Sequence, residues 1–550
     1  MPSAIPEPSP PAHQPPTSAR HLALWVFATF QFFYMLTSTG RVRTADEYNT
    51  LYTTESIVLH HTTAVPQAVA LHNFYGRFDV HGLPRAAYPP GHALAAAPWY
   101  AVGQYILAHL PGVPADDTDL IVAFAACLSS ATFAALAVTF FFLLLQSVGI
   151  PLRATLLATS MLGLATPIFA YSGWLFSEPL SAAIFTASAW LVFAPRVSPQ
   201  PTSLPSISLQ PISLPPISLQ RAAAAGLLLG LSTLVRPTNI LAVGIFAVAI
   251  IVHHRNPTLR GPAFRAAFAL CTASAIGVAI LLLHNALLFG SPFAFGYPAV
   301  AEGAKQLNRF DTPLLTGLYG FLFSPGKSVF IFAPPILLAL AGIAGLWRRN
   351  RGLATLAITL PLADLLFFAK YSQWEGGYCV GPRYLVPAIA LLCLGLGPAL
   401  AGSQSAQPNP SEASAPESRP KSRLTLRAVG IVLLVLGATV QALSLATSFM
   451  EDQAPRGRYY GANWTYRLDY SLSGPIHLFW KYLTSPQPAK LGLGWDRWFV
   501  FLAKAGVSRA TLALFGAAMV AGLSISLLGL AKHASDTRPA APDVASPDVS

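Results

Sequence analysis

Apolar runs of about 15–28 residues recur along most of this chain, and that recurrence limits the fold more than any motif does. Soluble domains carry about 25% charged residues. Here the figure is 10%, with 53% hydrophobic residues and a mean hydropathy of +0.52. Most of the chain therefore never meets water. The pattern predicts an all-α polytopic membrane protein with twelve spans, over 21–39, 119–148, 154–172, 177–194, 222–235, 238–253, 265–288, 328–347, 352–370, 384–402, 427–448 and 507–531.

One further apolar stretch, PPGHALAAAPWYAVGQYILAHL at 89–110, decides the topology. If it crossed, every later loop would change sides. Without it as a span, WRRNR (347–351), Arg255, Arg260, Arg265 and RPKSRLTLR (419–427) all fall on one side, which the positive-inside rule makes cytoplasmic. The stretch therefore reads as an interfacial helix, in keeping with its prolines and the Trp99–Tyr100 pair. Both termini are then cytoplasmic, and the chain is expected to cross the membrane many times. The long loops, about 40–118, 289–327, 371–383 and 449–506, lie on the outer side. Residues 21–402 form one transmembrane module, with a low-complexity Ser/Pro/Leu/Ile linker at 197–221 that carries no charge over 198–220. A second linker at 403–426 leads to C-terminal spans over 427–531, which include the outer segment 449–506. The Pro-rich tail 1–20 and the tail 532–550 are expected to be disordered, since neither can bury enough apolar area to fold. The first run, 21–39, has no small-residue cleavage site after it and reads as a retained signal anchor.

The net charge of +12 fits cytoplasmic loops against anionic lipid, not a nucleic-acid partner. Cys127, Cys271, Cys379 and Cys393 are scattered and make neither a disulfide framework nor a zinc site.

The chemistry should lie outside, where polar residues stand at span ends. Ionisable groups at such depth are costly and tend to be functional. TADEYNT places Asp46 and Glu47 just past the first span, although acids number only 22 in the chain. Neighbours on a helix point about 100° apart, so Asp46 shares a face with Asn49, Thr50 and Thr53 while Glu47 does not. One acid can be a general base; an N-cap explains the pair equally well. RAAYPPGHAL presents Arg85, Tyr88 and His92 at a rigid turn. In YSGWLFSEPL, Glu178 opens a span. In STLVRPTNIL, Arg236 interrupts two thin apolar halves and can hold an anionic group. YSQWEGGYCVGPRYLVP packs Trp374, Glu375, Tyr378 and Arg383 around glycines that allow close backbone approach. FSPGKSVFIFAPP sets Lys327 at a helix start without the spacing of a phosphate loop.

In this order, the Asp-Glu pair, the Tyr-Pro-Pro-Gly turn, SEPL, LVRPTN, FGSPFAFGYP, FSPGKSVFIFAPP and GGYCVGPRYLVP resemble bacterial membrane glycosyltransferases of the GT-C fold. Protein O-mannosyltransferases and lipid A aminoarabinose transferases are relatives. The resemblance covers about 21–402. It implies a GT-C-like bundle of about twelve transmembrane helices, with a long first outer loop that contains interfacial helices. It also implies a hexosyl or pentosyl transferase that takes its sugar from a polyprenyl-phosphate carrier and passes it to a lipid, glycan or protein hydroxyl. By motif position Asp46 is the base and Glu47 its neighbour in the acceptor site. Arg383, Arg236 and Lys327 are candidate phosphate holders. Where related sequences often carry a basic residue before the Tyr-Pro turn this chain has Ala87, and Arg85 is the candidate substitute. Tyr88, Glu178, Trp374 and Glu375 complete the candidate substrate contacts. Asp46 and Glu47 are also the candidate ligands of a divalent cation. The rival reading is a transporter or lipid flippase, which would also have many spans and intramembrane charge. No inverted repeat relates the halves, and the charges gather at one face instead of the midplane.

Overall fold

The computed structural model describes residues 16–109, 118–194, 216–254, 257–297, 310–402, 420–446, 483–486 and 497–536. The first outer loop runs from α1 (Pro16–Thr37) into α2 (Ala45–His60), α3 (Pro66–Ala70), a hairpin of β1 (Gly76–Phe78) and β2 (Pro84–Ala86), and α4 (Gly91–His109). There follow α5 (Thr118–Ser147), α6 (Leu152–Ala165), α7 (Pro167–Tyr171), α8 (Glu178–Phe193), α9 (Leu219–Leu231), α10 (Ile240–His253) and α11 (Arg260–Phe289). The second half holds α12 (Leu314–Phe323), α13 (Val329–Phe332), α14 (Ile336–Arg349), α15 (Arg351–Ala369), α16 (Val386–Leu392), α17 (Leu396–Ala401) and α18 (Pro420–Ala446). Last come α19 (Trp498–Lys504) and α20 (Arg509–Asp536).

Among the described residues six helical stretches are long and apolar enough to cross a membrane: Ile121–Ser147, Pro257–Phe289, Arg351–Ala369, Arg383–Ala401, Thr425–Ala446 and Arg509–Ser535. Five more apolar helices are shorter. The chain is thus an all-α polytopic membrane protein. A helix lies over each of the twelve expected ranges, but three ranges are broken: 154–172 at the extended Thr166, 384–402 by the 3₁₀ turn Cys393–Gly395, and 328–347. Ala333, Pro334 and Pro335 separate α13 from α14, because proline supplies no N–H to continue the ladder. Several boundaries move: α1 begins inside the expected 1–20 tail, α18 takes in residues 420–426 of the expected linker, and α20 runs past 531. The greater part of the linker 197–221, of the segment 449–506 and of both tails lies outside the described residues.

The core centres on α5 and α8, with Phe141, Phe142, Phe185, Phe246 and Phe332 buried in it. Without a hydrophobic force between helices in lipid, close packing must hold them, and small residues permit it. At α9 against α11 a Cβ added to Gly230 would stand 2.2 Å from the Ser274 carbonyl oxygen, and one added to Gly277 would stand 2.1 Å from the Gly230 carbonyl carbon.

Several polar breaks collect at one end of this bundle. They are the start of α8, the interruption between α9 and α10, the last turn of α15, and the 3₁₀ turn Arg383–Leu385 before α16. The basic turn Arg348–Arg351 sits at the opposite end of α15, about 28 Å away at 1.5 Å per residue. Over the polar end lies the hairpin, paired Gly76 to Ala86. Asp79 ties it. Its Oδ1 accepts from the N–H groups of His81 (2.8 Å) and Leu83 (2.9 Å), and its Oδ2 from Arg85 Nε (2.8 Å).

Candidate active site

The two adjacent acids of the first loop divide their work. Thr44 is the N-cap of α2, and Glu47 closes a capping box with it. Glu47 Oε2 accepts from the N–H groups of Arg43 (3.1 Å) and Thr44 (3.0 Å), and Oε1 from the N–H of Leu175 (3.2 Å). Glu47 is fully buried, and that burial pushes its carboxyl above the ordinary range, against the pull of Arg43 and the Thr44 and Arg43 amides. Asp46, one residue earlier, turns out of this cap to a different face.

Asp46 is held from two sides. Tyr88 donates its hydroxyl proton to Oδ1, and Arg383 Nη1 donates to Oδ2. Burial and the neighbouring Asp46 push the Tyr88 phenol well above its usual range, so it stays a donor. Arg383 also donates from Nε to Glu178 Oε1 at 2.6 Å, and the same oxygen accepts from Arg236 Nη1 at 2.9 Å. Aromatic faces seat both guanidinium groups: Phe176 lies 4.3 Å from Arg383, and Tyr384 5.3 Å from Arg236. Glu178, with no exposed side-chain surface, is thus the shared anchor of two arginines whose remaining N–H groups can serve a ligand.

These groups open onto a cavity of about 660 Å³. Asp46, Asn49, Thr50 and Thr53 line it from α2, as their helical spacing predicts. Tyr88 and His92 line it from the turn into α4, and Arg236, Arg383 and Tyr384 from the far side. Among the described residues Asp46 is the one acid on its wall.

Other expected site residues stand elsewhere. Glu47 is outside the wall, because both of its oxygens serve the start of α2 and the Leu175 turn. For the same reason Asp46 and Glu47 cannot chelate one cation together. Asp46 is engaged by Arg383, so the pair does not fit the expected metal site. Arg85 does not line the main cavity; it is bound to Asp79 and, through Nη1, to Thr63 Oγ1 at 2.8 Å. Lys327 donates from Nζ to the Cys379 carbonyl at 2.9 Å and is also absent from the wall. Trp374 is fully buried, edge-on to Phe321 at 5.6 Å, and so belongs to the core. Glu375 does not line the cavity, and Glu178 stands behind the arginines instead of on the wall.

No family model matches the chain, and no curated protein matches it. Among solved structures it is similar to ArnT from Cupriavidus metallidurans in the apo state, at 12% identity and a TM-score of 0.47, over 78% of this chain and 76% of that one. It is also similar to ArnT from the same organism bound to undecaprenyl phosphate, at 14% identity and a TM-score of 0.43, over 95% of this chain and 78% of that one.

The cavity wall also holds aromatic residues not named as site candidates, although Phe295, Tyr297 and Tyr371 fall inside quoted motifs. Phe295, Tyr297, Phe310, Phe367, Phe368 and Tyr371 make much of it aromatic. Phe367 and Phe368, in an apolar run, read as core or interfacial belt from sequence, and the others as ordinary loop aromatics. Only the convergence of separate helices shows that they surround a hollow.

Proposed function

We propose that this chain is a glycosyltransferase that moves a sugar from a polyprenyl-phosphate carrier to an acceptor hydroxyl on the periplasmic face. The observation that carries the reading is the placement of Asp46. It is the one described acid on the cavity wall, and it stands beside two arginines that Glu178 holds rigid.

The acceptor oxygen attacks the anomeric carbon as the bond from that carbon to the phosphate oxygen breaks. The hydroxyl proton passes to Asp46, and the bonding electrons leave with the lipid phosphate. Each carboxylate oxygen offers about two lone-pair sites, so Asp46 can accept from a substrate while Tyr88 and Arg383 hold it. The leaving phosphate gains charge. Guanidinium groups already in position stabilise that charge without reorganising. A retaining route would want two carboxylates about 5–5.5 Å apart on either side of the bond. One carboxylate supports a single displacement, with inversion. The basic turn at the far end of α15 supports an outward-facing site by the positive-inside rule.

The test uses full-length protein in nanodiscs with radiolabelled polyprenyl-phosphate sugars and envelope extract. Wild type should release the sugar in a single turnover. Asp46→Asn should bind the carrier as well and release about 10²–10⁴-fold more slowly. Carrier movement across the bilayer with no release by either protein would replace the transferase with a flippase.

A further inference from the structure

The hairpin over the cavity has an apolar tip that the described residues leave uncovered. Phe78, Val80 and Leu83 are 54%, 57% and 45% exposed, and Phe293, just past the end of α11, is 77% exposed. Phe74 extends the patch, its ring 5.5 Å from that of Phe78. The other face of the same hairpin is polar and buried. Asp79 binds Arg85 there, and Arg85 Nη1 reaches Thr63. Side chains alternate along an extended chain, so the face that buries Asp79 turns Phe78 and Val80 outward. Burying an ion pair while exposing an apolar tip is the reverse of what water favours, and such a patch marks an interaction surface.

The tip is fastened to the end of a membrane span. The Val80 N–H donates to the Leu288 carbonyl at 2.9 Å, and the Arg77 guanidinium stands 5.2 Å from the Phe289 ring. A Cβ added to Gly290, whose φ of +75° ends α11, would stand 3.6 Å from Val80 Cγ1. α11 exposes Phe264, Phe268, Ile276, Ile280, Leu283 and Leu287, which fall on one helical face. On a helix long and apolar enough to cross a membrane, that stripe faces lipid.

Depth follows from the helix rise. Arg265, exposed near the start of α11, is its last charged residue, so the hydrocarbon begins beyond it. Leu288 stands about 34 Å further along at about 1.5 Å per residue. The hydrocarbon is about 30 Å thick, and about 40–45 Å with both headgroup zones. Leu288 and the Val80 amide bound to it therefore fall about 4 Å into the headgroup zone at the cavity end, and any tilt of α11 draws them deeper.

We propose that the tip, through Phe78, Val80 and Leu83, is embedded in the interfacial zone of the bilayer and anchors to it the strand that leads to Tyr88. Lipid is the occupant because the tip continues the lipid-facing stripe of α11 at the height where that stripe ends. Arg77, seated on Phe289, then stands at the level of the lipid phosphates, which a guanidinium binds. β2 reaches Tyr88 through Ala87. Gly296 packs against this connection so closely that a Cβ there would stand 2.3 Å from the Ala86 carbonyl oxygen. The anchor thus sets the height of Tyr88, and of Asp46 bonded to it, relative to the membrane. It depends on α11 crossing the membrane and not on the transferase reading.

The test is spin-label accessibility of full-length protein in nanodiscs. Cys271→Ser removes the exposed cysteine, and the other three are buried. Phe78→Cys, Val80→Cys and Leu83→Cys are labelled one at a time. Ile276→Cys, within the span, is the lipid reference, and free label in buffer is the water reference. Oxygen concentrates in lipid and a nickel chelate in water. At the tip the ratio of oxygen to nickel accessibility should exceed that of free label several-fold and fall below that of Ile276→Cys. Nickel accessibility equal to that of free label would place the tip in water. Low accessibility to both reagents would place it against protein, either a second copy or another part of this chain. Either result overturns the anchor. Val80→Asp with Leu83→Asp should raise nickel accessibility at Phe78→Cys several-fold, because charged side chains leave the interface for water. An unchanged ratio there would show that these side chains do not hold the tip, and overturns the anchor as well.

Discussion

Arg383 joins two acids that lie far apart in sequence: its Nη1 donates to Asp46, and its Nε donates to Glu178 at 2.6 Å. Asp46 opens the first outer loop, and Glu178 opens α8 behind it. A single guanidinium thus ties the cavity wall at Asp46 to the buried start of α8. Arg236 adds a second donor to the same Glu178 oxygen.

Removing that anchor should separate folding from chemistry. Glu178→Ala leaves two guanidinium groups without their shared carboxylate. Breaking a buried pair from one side costs about 3–5 kcal/mol, so the thermal midpoint in detergent should fall sharply. Glu178→Gln keeps an acceptor and should stay folded. Its kcat should drop about 10–100-fold with KM for the donor nearly unchanged, as expected when arginines are present but poorly aimed. Full activity in Glu178→Gln would show that the shared charge has no role in positioning.

Tyr88 should act through Asp46. Tyr88→Phe removes the donor to Oδ1 and leaves the ring, so kcat should fall about tenfold, the scale of one hydrogen bond. The double variant with Asp46→Asn should be no slower than Asp46→Asn alone, because the two groups work as a unit. Additive losses in single-turnover assays would give Tyr88 a task of its own.

Glu47 should matter for stability and not for transfer. Glu47→Ala abolishes a capping box and leaves the Leu175 amide unpaired at a buried site. The cap costs about 1 kcal/mol, and an unsatisfied donor about 1–3 kcal/mol more. Turnover per folded molecule should remain near wild type. A large loss of turnover without a shift in melting would return Glu47 to the site.

The contrast between these two acids shows what a sequence can and cannot give. Apolar length made the membrane helices legible, since each run carries its own evidence. Helical spacing also placed Asn49, Thr50 and Thr53 with Asp46. The Thr44-x-x-Glu47 spacing is itself a capping-box signature; what spacing could not supply is the Leu175 amide, distant in sequence, that occupies the other Glu47 oxygen. Trp374 and Lys327 lie off the cavity wall for a related reason. A Trp beside Gly-Gly looks exposed until Phe321 and Gly320 are found against it. A Lys at a helix start looks available until the Cys379 carbonyl meets it. Arg236, Arg383 and Glu178 were legible one by one, but their joining through one carboxylate oxygen was not.

The titration of His92 gives a signed prediction. Burial lowers its pKa from 6.5 to about 4, so between those values the unfolded chain binds more protons than the native one. Stability from this group is therefore complete above about pH 6.5 and is lost as the pH falls toward 4. The loss approaches about 3 kcal/mol at 1.36 kcal/mol per unit. His92→Gln does not titrate, so it should lose less on acidification. Carboxylates such as Glu47 titrate in both proteins and cancel in the difference. Melting of wild type and His92→Gln in nanodiscs from pH 7.5 to about 4.5 should show curves that converge as the pH falls. Parallel curves would mean that His92 is solvated in the native protein.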